Sequence, residues 1–128
     1  PTSPLTTYKE IDSALKKIIN NKKASSLVSI TSKTIPNFSM KVRKKIGLLY
    51  PEKNISLYKT RRQDLKKEYY ICGALYISKI KSFIKYKNFV QPKTAYYELH
   101  KFNAFEIDDL IDFNIVKFLY RNKRLKHS

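Results

Sequence analysis

Apolar residues recur at helical spacing early in the chain: Ile11, Ala14, Leu15, Ile18 and Ile19 form one face of a helix. Just before them, Thr7-Tyr8-Lys9-Glu10 has the spacing of a capping box. There a hydroxyl and a carboxylate satisfy N–H groups that the first helical turn leaves free. The period then changes. Residues 26–31 (SLVSIT) are a short β-rich run and predict a strand. A helix and a strand in such close succession predict an α/β unit with a parallel sheet.

Further along, 32–38 read as a loop. Residues 40–49 read as a lysine-rich strand or hairpin interrupted by Gly47, and 51–60 as irregular. Residues 73–78 (GALYIS) predict a buried strand, followed by a short helix over 80–86. Residues 94–99 alternate and predict another strand, 104–107 a last short one, and 109–121 a final helix. That helix has acids at its start and Arg121, Lys123 and Arg124 at its end, the polarity favoured by the helix dipole. No internal repeat or long linker divides the chain, so its 128 residues are one domain or part of one.

Composition narrows the classes. No apolar run is long enough to span a membrane, and residues 1–7 show no charged stretch leading into an apolar one, so neither a membrane partner nor a secretory signal is expected. A single cysteine, Cys72, cannot form an internal disulfide, which fits a cytoplasmic location. The net charge of +17 would suit nucleic acid, an anionic membrane or an acidic substrate. Its 27 basic residues are spread evenly, however, and there are no zinc ligands, RRM-like aromatics or helix-turn-helix pattern. The expectation is a solvated lysine surface and no specific nucleic acid. Within so basic a chain, Glu106, Asp108, Asp109 and Asp112 place four of the ten acids in seven residues.

Three stretches, in order, resemble one family. PTSPLTTYKEIDSAL (1–15) is similar to a PTSPLR segment entering a helix. RRQDLKKEYYICGALY (61–76) is similar to RRQDLP…NGAIY. FEIDDLIDF (105–113) is similar to an S-IDID-T-E-x-DF segment. Together they resemble the acylneuraminate cytidylyltransferases (CMP-sialic acid synthetases). The resemblance implies the C-terminal portion of a Rossmann-like nucleotide-diphospho-sugar transferase fold, with 33–68 as a small projecting dimerisation element and a homodimer as the assembly. This chain departs from the family pattern at Thr6 (arginine there), Lys66 (proline), Cys72 (asparagine) and Glu106 (aspartate). No G-x-G-x-x-G or G-x-x-x-x-G-K occurs, and the only glycines are Gly47 and Gly73. The expectation is therefore a partial enzyme lacking the nucleotide-binding half, and inactive by itself.

The implied reaction is attack of the anomeric hydroxyl of a sialic or related nonulosonic acid on the α-phosphate of CTP, releasing pyrophosphate, with Mg²⁺ as cofactor. Mg²⁺ prefers one or two carboxylates plus substrate phosphates. On a strand, Glu106 and Asp108 would share a face and suit that ion. Spacing alone favours Asp108 and Asp109 as a mere helix cap; the resemblance assigns Asp108 to catalysis and metal, with Glu106 as a second ligand. It also places Arg62 on the sugar carboxylate, which an arginine fork binds through paired hydrogen bonds. Gln63, Tyr76 and Phe89 fall on the sugar site, although an aromatic in a buried strand is as readily core as ligand contact. Cys72 reads as a small buried residue, and His100 and His127 as surface residues. Two other readings stand beside the enzyme: a catalytically inactive sugar-acid-binding or regulatory remnant of the family, and a basic nucleic-acid-binding protein.

Overall fold

The structure is a computed structural model that describes residues 2–32, 40–43, 45, 48–51, 61, 64 and 68–122. The chain divides into two compact units, Pro1–Thr31 with Tyr70–Ser128, and Ser32–Tyr69. In the second unit, β2 (Met40–Arg43) and β3 (Leu48–Pro51) pair antiparallel, Met40 opposite Pro51 and Arg43 opposite Leu48.

The first unit starts with helix α1 (Tyr8–Asn20). Glu10 accepts the Thr7 N–H at 2.7 Å and the Thr7 hydroxyl at 2.9 Å, so the expected capping box is present. Ala14 and Ile18 are buried, whereas Ile11, Leu15 and especially Ile19, 71% exposed, leave three of the five apolar positions exposed. Strand β1 (Ser26–Ser32) lies between β4 (Tyr69–Ser78) and β5 (Thr94–Glu98). β1 and β5 run parallel, Ser26 opposite Thr94 and Ile30 opposite Glu98. β4 runs the other way: Ser25 accepts the Lys79 N–H, while four residues later Ser29 meets Leu75, four residues earlier in β4. The sheet is thus mixed, not wholly parallel as the helix-then-strand pattern suggested. An apolar run such as GALYIS carries no direction, and it is not the buried strand expected: only Leu75 of these six residues is buried, and Tyr76 is exposed.

α1 packs on the sheet through Ala14 and Ile18 against Ala24, Leu27 and Leu75, with Ala74, Ile77, Ala95 and Tyr97 around them. Burying Leu27 completely, at 0% exposure, contributes on the order of 2 kcal/mol. A short helix α2 (Ile80–Tyr86) follows β4; it buries none of its side chains and ends at Lys87, whose φ of 50° closes the last turn.

One expected strand is absent. Residues 101–104 form a 3-10 turn, Lys101–Ala104, and 105–107 belong to no strand. The Phe102 N–H donates to His100 Nδ1 at 3.3 Å, and Phe102, Asn103 and Ala104 are buried, so the run curls inward. The Ile107 N–H finds the Thr2 carbonyl at 2.7 Å, which replaces a ladder bond. Helix α3 (Leu110–Arg121) follows, buried through Val116 against Leu5 and Phe102. No helix among the described residues is long and apolar enough to cross a membrane.

Candidate functional site

Residues 106–108 are a meeting point for stretches distant in sequence. The Glu106 carboxylate accepts the Gly73 N–H from β4, and the Ile107 N–H donates to the Thr2 carbonyl. Leu5, Ile107 and Val116 share one apolar cluster. Behind them, buried Asn103 donates to Glu10, and the Thr6 hydroxyl donates to the Asn103 carbonyl at 3.2 Å. All three sequence stretches that carry the resemblance, 1–15, 61–76 and 105–113, therefore contribute to one place.

The two carboxylates proposed as a metal pair differ in environment. Glu106 is half-buried and engaged by Gly73. Asp108 is exposed, and its carboxylate has no partner among the described residues. It is Asp109, not Asp108, that caps α3: its Oδ1 accepts the N–H groups of Ile111 at 2.8 Å and Asp112 at 2.9 Å. Asp112 reciprocates by accepting the Asp109 and Asp108 N–H groups. With no strand at 104–107, the period-two argument for a shared face of Glu106 and Asp108 falls away. Among the described residues no three His, Cys, Asp or Glu side chains gather to hold a metal. A single free carboxylate such as Asp108 still suits Mg²⁺, which takes the rest of its shell from phosphates and water.

Of the residues expected at a sugar site, Tyr76 and Phe89 lie together, with ring centroids 5.5 Å apart, and Phe83 lies against Phe89 at 4.9 Å. Tyr76 is 44% exposed, so this aromatic patch meets solvent. The loop carrying Phe89 is knit to the sheet by Gln91, whose amide donates to Ser78 Oγ at 2.9 Å and to the Asn88 carbonyl at 2.8 Å. Arg62 and Gln63 lie outside the described residues, as do Lys66 and His127.

Sequence reasoning missed Ser29, Gly73 and Gln91 as organisers of this region. Only Gly73 had a signal, since a lone glycine inside a β-rich run marks a bulge or a close approach. Cys72 is buried, as expected. Burial pushes its thiol up, hydrogen bonds from Ser29 and the Ala74 backbone pull it part of the way back, and the Glu106 charge adds to the rise. Because the folded value is raised, the stability it contributes is complete below the ordinary thiol pKa of about 8.5. It is lost as pH climbs through the higher folded value. Alkylation of Cys72 at pH 8 is expected to be at least about tenfold slower in the native chain than in urea. Equal rates would contradict the buried, protonated thiol.

No family profile and no curated protein matches the chain.

Proposed function

We propose that the chain forms the sugar-acid and metal side of an acylneuraminate cytidylyltransferase, which transfers CMP from CTP to a sialic or related nonulosonic acid. The observation that supports this reading is the convergence at Glu106–Ile107 of the three stretches that resemble that family. In this reading the sheet completes a Rossmann-like layer, 33–68 serves dimerisation, and the protein works in the cytoplasm.

Arg62 would bind the sugar carboxylate as a fork, with Gln63 beside it orienting the sugar. Tyr76 and Phe89 would hold the N-acyl group on an apolar ring surface, which suits a methyl group next to a planar amide. Asp108 would hold Mg²⁺, and the ion would neutralise charge developing on the triphosphate as pyrophosphate leaves. The lysine-rich surface would draw CTP toward the site without orienting it, because exposed ammonium groups are screened within a Debye length.

The two aspartates give the test. With the nucleotide-binding half present, Asp108→Asn is expected to cut pyrophosphate release by roughly 10²–10³ and raise the Mg²⁺ requirement. Its melting point should barely move. Asp109→Ala removes the α3 cap and should cost about 1 kcal/mol of stability while sparing the Mg²⁺ requirement. Equal, mild effects of both substitutions on turnover would remove the metal site from the reading.

A further inference from the structure

Strand β4 breaks its own alternation between Cys72 and Leu75. In a regular antiparallel strand, residues whose main-chain groups face the same neighbour are an even number of positions apart. Here the Cys72 carbonyl and the Leu75 N–H, three positions apart, both face β1, where the Ser29 hydroxyl takes them at 2.7 and 2.9 Å. One extra residue is accommodated at Gly73–Ala74, which is the geometry of a β-bulge. The Gly73 N–H goes instead to Glu106. A Cβ at position 73 would sit 2.5 Å from Glu106 Oε2, so a side chain there would push the carboxylate from its present place.

The bulge decides where Tyr76 points. A one-residue slip exchanges the two faces of a strand. Cys72, Leu75 and Ile77 all join the core, whereas Tyr76 turns out to meet Phe89. Without the extra residue, Tyr76 would share the inward face of Cys72. Two positions beyond Glu106 stands Asp108, on a segment tied at Ile107 to Thr2. The carboxylate that holds the bulge therefore also fixes the stretch that carries Asp108.

We propose that Glu106 is a positioning residue and not a metal ligand: its carboxylate holds the β4 bulge, aiming Tyr76 at Phe89, and fixes the segment that carries Asp108. What Tyr76 and Asp108 then bind rests on the function proposed above; the bulge and its holder do not. Glutamine keeps an acceptor oxygen for the Gly73 N–H but gives up the charge a metal needs, whereas leucine gives up both. The two substitutions separate the roles.

The test is NMR on the 128-residue chain with Mn²⁺ alone as a paramagnetic probe. In Glu106→Gln, slow exchange of the Gly73 amide, the Tyr76–Phe89 ring contacts and Mn²⁺ broadening around Asp108 should all persist. In Glu106→Leu, Gly73 exchange should speed up by roughly tenfold and the ring contacts should be lost. Should Glu106→Leu fail to fold, Gly73→Ala displaces the same carboxylate while leaving every core side chain in place, and should lose the same ring contacts. Broadening lost in Glu106→Gln as fully as in Asp108→Asn would make Glu106 a ligand and overturn the proposal. Unchanged Gly73 exchange and ring contacts in both Glu106→Leu and Gly73→Ala would overturn it too. If Mn²⁺ broadens nothing near Asp108 in the unsubstituted chain, the metal site of the proposed function fails, while the Gly73 and ring readouts still decide the role of Glu106.

Discussion

Incubated with CTP, Mg²⁺ and N-acetylneuraminate, the 128 residues alone are expected to release no pyrophosphate above the uncatalysed background. Nucleotidyl transfer depends on holding the triphosphate so that the α-phosphate meets its attacker in line, and backbone N–H groups in a glycine-rich loop commonly do this. Neither glycine in these residues lies in such a loop. Gly47 stands in a lysine-rich segment without the motif, and the N–H of Gly73 is already taken by Glu106. On the proposed reading, adding a polypeptide that carries a cytidylyltransferase nucleotide loop should bring turnover into the usual enzyme range of about 1–10³ per second. Turnover in that range from the chain alone would mean that another set of groups grips the triphosphate. Sugar-acid binding without turnover, even after that addition, would favour the inactive binding remnant over the enzyme.

Arg62→Ala is expected to have the largest effect on sugar-acid affinity. A guanidinium fork on a carboxylate makes two charge-assisted hydrogen bonds, and losing such a partner costs roughly 1.5–3 kcal/mol, or about 10- to 150-fold in affinity. Lysine at this position should recover only part of the loss, because an ammonium is a point charge without the planar fork. Phe89→Ala should act differently. It should weaken binding of N-acetylneuraminate more than that of the deaminated analogue, which has no acyl group for the rings to hold. An affinity unchanged in Arg62→Ala removes that residue from the site, whatever the aromatic pair does.

What could be read from the sequence follows from how local each interaction is. The Thr7–Glu10 box and the Asp109 cap involve residues two or three apart, and the sequence pattern alone places both near their observed positions. α2 and α3 were legible for the same reason. The direction of β4 was not, because its partner β1 lies some forty residues earlier and hydrophobic runs carry no polarity. The strand expected at 104–107 failed because β-rich composition cannot guarantee a neighbour; the Ile107 N–H is satisfied by Thr2, 105 residues away in the chain. The Gly73–Glu106 contact spans 33 residues, so no spacing rule could show that a carboxylate expected to ligate a metal would lie over a glycine amide. The aromatic character of Tyr76 and Phe89 was visible, but not their meeting, which joins β4 to the Gln91-held loop.

Calorimetric titration of the chain with N-acetylneuraminate and with its methyl ester tests the proposed sugar-acid site most directly. The ester keeps the ring, the glycerol tail and the acyl group, and lacks only the carboxylate charge. The account predicts saturable binding of the acid, with the ester weaker by about 10- to 150-fold, the same loss that Arg62→Ala produces for the acid. It also predicts no further loss when the ester is titrated into Arg62→Ala. Equal affinity for acid and ester, or no binding of either, would contradict the account.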